Sequence, residues 1–140
     1  MGRKVKPSAT NAAPVSRARL SAGHIVSTIP VLFLLFDSAI KFTAMEPVVD
    51  SLRQLGYPVS LGPVIGVIEL VCLVLYVIPR TSVLGAILLT GYLGGAVATH
   101  VRVGSPLLTH ILFPIYVAAL LWAGLFLREG RLRALIPLRR

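Results

Sequence analysis

The chain has 140 residues, of which 56% are hydrophobic and only 14% are charged, and its mean hydropathy is +0.85. The charged share is about half that of an average soluble domain, which excludes an ordinary soluble protein and indicates a single membrane domain. The net charge of +9 comes mostly from basic residues near the two ends of the chain. Anionic lipid headgroups account for that distribution, and no nucleic-acid recognition motif accompanies it, so we expect no nucleic-acid partner.

The chain begins with a polar, basic stretch, residues 1–19, which predicts a disordered cytoplasmic tail. The first apolar segment follows at residues 24–44. A basic stretch before an apolar run is also typical of a signal peptide. The run is too long for one, Asp37 and Lys41 interrupt its far end, and no convincing cleavage site follows. We therefore expect the segment to remain as a transmembrane helix.

Three further apolar segments cover residues 59–78, 82–101 and 107–127. Each has about 20 residues, the length that a helix rising 1.5 Å per residue needs to cross the hydrocarbon core. The apolar/polar alternation of membrane strands is absent. The sequence thus predicts an all-α, polytopic membrane protein whose antiparallel four-helix transmembrane bundle occupies residues 20–128, ahead of a basic cytoplasmic tail at 129–140.

The connecting segments refine this architecture. Residues 46–56 should form a short amphipathic surface helix between helices 1 and 2, with Pro47 at its first position and Gly56 at its C-terminal cap. The two later links are short, so successive helices should be antiparallel neighbours. Small-residue spacing at Gly62/Gly66 and Gly91/Gly95 predicts close helix packing. Pro30 and Pro114 lie inside helices 1 and 4 and predict kinks.

Basic residues also predict the orientation. With four spans both ends share one side, and their excess of Lys and Arg places both termini in the cytoplasm, with the protein in the inner membrane. Ionisable residues within the spans then all fall in the outer half of the bundle. They form the candidate ligand-binding or polar cluster, which comprises Asp37, Lys41, Glu69, His100, Arg102 and His110.

Glu69 is the costliest member of this cluster. It lies in the apolar run 61–78, and a charge at the centre of a span costs roughly 2.5 to 3.5 kcal/mol on insertion scales. We expect it to remain protonated or to be matched by Lys41, His100 or Arg102. Asp37 and Lys41, four residues apart, should pair on one helix face. Two hypotheses stay open: a structural network that fixes helix register, and a cavity that binds a small molecule or relays protons.

Other chemistry has less support. Cys72 is the only cysteine, which excludes an intramolecular disulfide or a dithiol redox pair, and we interpret it as a buried, inert thiol. No helix carries histidines or carboxylates at metal-ligand spacing, so we expect no metal site. We interpret Trp122, Tyr92 and Tyr116 as packing or interface anchors.

Several stretches together resemble the DoxX-like family of small four-helix membrane proteins. These stretches are residues 35–42 (LFDSAIKF), 55–58 (LGYP), 66–70 (GVIEL), 78–96 (IPRTSVLGAILLTGYLGGA) and 98–102 (ATHVR). The resemblance covers about residues 30–137 and shows no departure in these stretches. It implies the fold more than an activity, because most members of the family have no established reaction. Related proteins appear as accessory subunits or assembly factors, and the family's name comes from a subunit associated with a quinone-linked oxidoreductase.

We therefore expect a noncatalytic accessory or small-molecule-binding module, with no catalytic residue assigned. Its predicted partners are the lipid bilayer, a membrane or redox protein, and further copies of the same chain. A quinone is the cofactor that the resemblance suggests. Two alternatives are the membrane subunit of a quinone-linked oxidoreductase and a small proton-coupled transporter that acts as an oligomer.

Overall fold

The computed structural model describes residues 14–135, and every regular element in that range is helical. The described part of the chain contains six α-helices, with a 3₁₀ turn at Val59–Leu61 before α3 and a π-helical turn at Leu107–Ile111 before α5. The α-helices are α1 (Arg17–Ile40), α2 (Glu46–Gln54), α3 (Gly62–Val77), α4 (Ser82–Arg102), α5 (Phe113–Arg128) and α6 (Gly130–Leu135).

Within residues 14–135, four helical segments are long and apolar enough to cross a membrane: Arg17–Ile40, Val59–Val77, Ser82–Arg102 and Leu107–Arg128. α1 packs against α3 and α5, and α4 packs against the same two helices, so the four spans form a ring. Phe33 near the end of α1 contacts Phe113 at the start of α5, which makes these helices antiparallel. The predicted antiparallel four-helix bundle is confirmed.

The first span differs from its predicted limits of 24–44. α1 begins at Arg17, because the Ser16 side chain accepts a hydrogen bond from the backbone N–H of Arg19 and caps the helix. It is continuous through Pro30 and ends at Ile40. Residues 17–19 are therefore helical and not part of the expected tail, while residues 1–13 and 136–140 lie outside the described range.

The fourth span also differs from the single helix expected at 107–127. Pro114 lies in the first turn of α5, where proline is tolerated, and not at an internal kink. Because Pro114 has no N–H, it cannot bond to the carbonyl of His110 as a continuous α-helix would require. The preceding residues adopt a π-helical turn, in which the backbone N–H of Leu112 donates to the carbonyl of Leu107 at 2.9 Å.

Glycines allow close helix contacts at three places. A Cβ on Gly85 of α4 would overlap the backbone of Tyr76 in α3, and one on Gly124 of α5 would overlap Ser27 in α1. Gly62 and Gly66 pack α3 against α1, as predicted. The prediction for Gly91 and Gly95 is wrong, since a Cβ at either would meet nothing within 4 Å. These two glycines lie on the exposed face of α4.

The core lies on the inward faces of the four spans. Tyr76 is fully buried there, and its hydroxyl donates to the carbonyl of Leu121 at 2.7 Å and lies 3.0 Å from the Ser27 hydroxyl. Cys72 is a free thiol in the same core, 8% exposed. The outward faces are strongly apolar: Ile25, Phe36 and Leu108 are each more than 60% exposed. Such faces fit a surrounding lipid phase.

The predicted amphipathic helix is confirmed as α2. Pro47 lies in its first turn, Leu52 is buried, and Gly56 has the positive φ of +76° that glycine tolerates after a helix end. α2 lies at the end of the bundle opposite the start of α1 and the end of α5, because it connects α1 to α3.

Candidate functional site

A partly buried acid–lysine cluster, defined here as Asp37, Lys41, Glu69 and Tyr92, joins three of the spans. Glu69 lies near the middle of α3 and its side chain is 0% exposed. The ammonium of Lys41, at the end of α1, lies 2.7 Å from Glu69 Oε2. The same ammonium donates to Asp37 Oδ2, as the spacing of four residues predicts. One cation therefore bridges two carboxylates.

Glycines of α3 bring Lys41 within reach of Glu69. Gly62, Gly66 and Glu69 are buried on one face of α3, at spacings of four and three residues. A Cβ on Gly66 would lie 3.0 Å from the carbonyl oxygen of Ser38 and 3.1 Å from Lys41 Cβ. The absence of that Cβ lets the backbones of α1 and α3 approach, and the Lys41 side chain spans the remaining distance to the carboxylate.

Tyr92 completes the cluster from α4. Tyr92 packs against the core, as expected of an anchor, and its hydroxyl also donates to Glu69 Oε2 at 3.0 Å, a contact that was not predicted from the sequence. The contact between Tyr92 and Glu69 could have been predicted from the depth of each residue along its helix. Glu69 lies eight residues before the end of α3 at Val77, and Tyr92 lies ten residues after the start of α4 at Ser82. In antiparallel neighbours those positions are nearly level.

The two oxygens of Glu69 have unequal environments. Oε2 accepts hydrogen bonds from both Lys41 and Tyr92, whereas no group among residues 14–135 hydrogen-bonds to Oε1. A buried acceptor without a partner costs free energy comparable to a lost hydrogen bond. An ordered water or a ligand O–H or N–H group would remove that cost, whereas a proton on Oε1 would remove the charge but create an O–H group that needs an acceptor of its own.

The positive and negative charges of the cluster also do not balance. Asp37 and Glu69 supply two carboxylates, and Lys41 is the single cation in contact with them in the described chain. With both acids ionised the cluster has one more negative charge than positive. In a low-dielectric bundle this favours the uptake of one proton or one cationic group.

A cavity of about 150 Å³ lies beside the cluster, between the end of α1, α2 and the start of α3. Lys41 lines it together with mostly apolar side chains, including Phe42, Leu52 and Val59. Lys41 thus belongs both to this cavity and to the ion-paired network. A dry apolar cavity of about this size can hold a benzene-sized molecule.

The other predicted site residues lie elsewhere at the same end of the bundle. His100 and His110 form a pair with ring centroids 5.6 Å apart, and His100 Nδ1 lies 3.0 Å from the Ser105 hydroxyl. Arg102 donates to the carbonyl of Leu55 at 2.6 Å and so ties the end of α4 to the end of α2. The structure therefore splits the predicted six-residue set into an acid–lysine cluster, a histidine pair and a helix-end contact.

No group of three or more His, Cys, Asp or Glu side chains in the described range is placed to hold a metal ion. Hydrogen bonds link the Asp37–Lys41–Glu69 part of the predicted set, while none in the described range links Glu69 to His100 or Arg102.

The fold and the buried cluster define a polytopic α-helical membrane protein with a polar site inside its transmembrane bundle. The model of the DoxX-like family matches residues 25–124, and the chain belongs to that family. The matched range includes most of each of the four spans and every residue of the acid–lysine cluster. A search of the curated proteins gave no match, and a search of the solved structures also gave none.

Proposed function

We propose that this DoxX-like protein is a noncatalytic membrane module that binds a small molecule at the acid–lysine cluster. One observation carries the proposal: Glu69 is completely buried, yet Oε1 has no hydrogen-bond partner among residues 14–135. A carboxylate kept only to fix helix register would be satisfied best with both oxygens paired. The free acceptor instead fits a group that awaits a donor.

The neighbouring cavity sets the size and character of the ligand. Its volume of about 150 Å³ suits a single ring or a short branched chain, and its walls are largely apolar. Lys41, which lines the cavity, would contact a carbonyl or anionic group of the ligand. Glu69 does not line the cavity and would accept a hydrogen bond from a ligand hydroxyl group, or hold a proton, once Lys41 has turned toward the ligand. A compound with one apolar ring and oxygen substituents fits these features, and a quinone headgroup belongs to that class.

The proposed setting is the inner membrane, with both chain ends in the cytoplasm. The support is the distribution of basic residues. The end of the bundle where α1 starts and α5 ends carries Arg17, Arg19, Arg128, Arg131 and Arg133. The acid–lysine cluster would then open toward the outer face of the membrane, beneath α2.

The test is recovery of bound small molecules from the full chain purified in native lipid particles, followed by mass spectrometry. Glu69→Gln keeps the shape of the side chain and removes its charge, so it should lose the bound compound. Glu46→Gln is the matched control, because Glu46 is an exposed acid in α2. Titration with a short-chain quinone then tests one member of the proposed class.

The structural-network hypothesis makes the opposite forecast. It predicts that no small molecule is recovered from the unaltered chain, and that Glu69→Gln changes only the thermal stability in detergent. That pair of results would overturn the binding proposal.

A second candidate function is proton-coupled transport by an oligomer, and the charge imbalance of the cluster favours it. Two carboxylates that share one lysine can bind and release a proton when the lysine moves. Reconstitution of the full chain in liposomes containing a pH-sensitive dye tests this function. Proton uptake that Glu69→Gln abolishes would support it, and uptake equal to that of empty liposomes would exclude it.

A further inference from the structure

A second cavity lies at the opposite end of the bundle from the acid–lysine cluster. It has a volume of about 530 Å³ and is formed by the segment that leads into α1 and by α6. Ser16 and Arg19 line it on one side, and Gly130 and Arg133 line it on the other. Its walls thus come from the two ends of the described chain, and its volume is within the usual range for small-molecule sites.

The charge around this cavity is positive. Among the residues of the described range 14–135 that line it, the charged ones are Arg19 and Arg133, and none is acidic. Glu129 is the nearest acid along the chain, and its Oε1 accepts a hydrogen bond from the backbone N–H of Arg131 at 3.4 Å. An anion is therefore the ligand that the lining favours.

Gly130 and Ser16 give the cavity features that suit an anion with several oxygen atoms. A Cβ on Gly130 would lie 3.8 Å from Arg133 Nη2 and 3.5 Å from Val15 Cγ2, so the guanidinium of Arg133 folds back over Gly130. The Ser16 oxygen accepts the capping hydrogen bond from Arg19 N–H, and no hydrogen bond among the described residues uses its O–H proton. Two guanidinium groups and a hydroxyl donor match the donor set that binds phosphate oxygens.

The position of the cavity adds an apolar component. It lies where α1 begins and α5 has just ended, at one end of the apolar spans, where the membrane surface is expected. Leu135 at the end of α6 is 78% exposed at this level, and Leu132 of the same helix is buried. A ligand with a phosphate group and hydrocarbon chains would satisfy the arginines and cover the exposed leucine together.

We propose that this cavity binds the phosphate group of an anionic phospholipid, with Arg19 and Arg133 as its principal ligands. The site is separate from the acid–lysine cluster and does not depend on the proposed function. Binding would hold α6 against the start of α1 and fix both ends of the described chain at the membrane surface.

The experiment is native mass spectrometry of the detergent-purified full chain, titrated with phosphatidylglycerol or with phosphatidylcholine. The double variant Arg19→Gln/Arg133→Gln should bind phosphatidylglycerol about tenfold more weakly, the loss expected for charge-assisted hydrogen bonds. The matched control is Arg17→Gln/Arg131→Gln, which removes the same charge from two exposed arginines that do not line the cavity. The control should stay within about threefold of the unaltered chain.

Equal losses in the two double variants would overturn the proposal, because binding would then follow total charge and not the cavity. The proposal would also be overturned if the unaltered chain bound phosphatidylcholine as tightly as phosphatidylglycerol. A third arm adds inorganic phosphate at millimolar concentration. Displacement of the lipid by phosphate at that concentration would assign the site to a free phosphate compound and reject the lipid; undisturbed lipid binding supports the proposal.

If the glutamine variants unfold, Arg19→Lys/Arg133→Lys keeps the charge and removes the planar fork of the guanidinium groups. Weaker binding of phosphatidylglycerol by this variant supports arginine-specific contacts, and unchanged binding contradicts them.

Discussion

The ammonium of Lys41 and the carboxylate of Glu69 lie 2.7 Å apart across the interface between α1 and α3. Glu69 is 0% exposed and the Lys41 side chain only 15% exposed, so the pair is largely hidden from solvent. Removal of one partner from such a pair leaves an uncompensated buried charge, which is more costly than removal of both.

This asymmetry predicts the outcome of a double-mutant cycle. Lys41→Met should destabilise the fold by about 3 to 5 kcal/mol, because Glu69 then keeps only Tyr92 as a partner. Lys41→Met/Glu69→Gln should be more stable than Lys41→Met alone, because the buried charge is gone. Thermal or denaturant unfolding in one detergent gives the comparison, and strictly additive losses would contradict the coupling.

The hydroxyl group of Tyr92 should contribute to the stability of the fold. Tyr92→Phe keeps the ring and removes the donor to Glu69 Oε2, so the free energy of unfolding should fall by about 1 to 3 kcal/mol. Tyr116→Phe is the control, because Tyr116 is 50% exposed on the outward face of α5. Its effect should be close to zero, and an equal effect of the two variants would show that the hydroxyl contact is unimportant.

Two glycines of α4 should respond oppositely to the same change. Gly85→Ala should cost about 3 kcal/mol or more, because the added Cβ overlaps the backbone of Tyr76. Gly94→Ala adds a Cβ where nothing lies within 4 Å, so it should be neutral or stabilise the helix by up to about 1 kcal/mol. Melting temperatures in detergent test both, and a tolerated Gly85→Ala would contradict the described α3–α4 contact.

Arg102 should control the mobility of α2. Its guanidinium donates to the Leu55 carbonyl just after α2, and Arg102→Gln removes that contact. Amide hydrogen exchange across residues 46–56 should become about tenfold faster, as expected for a lost charge-assisted bond. Arg53→Gln serves for comparison, since the exposed pair of Arg53 with Asp50 at 3.9 Å contributes little. If Arg53→Gln accelerated amide exchange in residues 46–56 as much as Arg102→Gln does, Arg102 would have no special role in holding α2.

The sequence predicted the bundle well because length and hydropathy determine which segments can span a bilayer. Close packing at Gly91 and Gly95 was predicted wrongly. The other errors lie at the helix ends, where a Ser16 cap lengthens α1 and Pro114 displaces the start of α5. Those outcomes depend on local hydrogen bonds that hydropathy does not record.

The candidate site was predicted less completely. The Asp37–Lys41 pair follows from helix spacing, and Lys41 was among the cations considered for Glu69. The division between the acid–lysine cluster and the histidine pair could not be predicted, because it depends on how each helix is rotated about its axis. Tyr92 was missed because tyrosine is common in spanning helices and its hydroxyl contact requires knowledge of both depth and rotation.

One face of α3 carries both of the buried hydrogen-bond networks in the described bundle. Glu69 and Tyr76 are seven residues apart on that face, so they lie two turns and about 10 Å apart along the axis. Rotation of α3 would therefore break the contacts with Lys41 and Tyr92 at one level and those with Ser27 and Leu121 at the other. Because the two networks hold the same face of α3 at two levels, rotation of this helix about its axis is opposed twice, and a rearrangement that accompanies ligand entry is expected in the neighbouring helices.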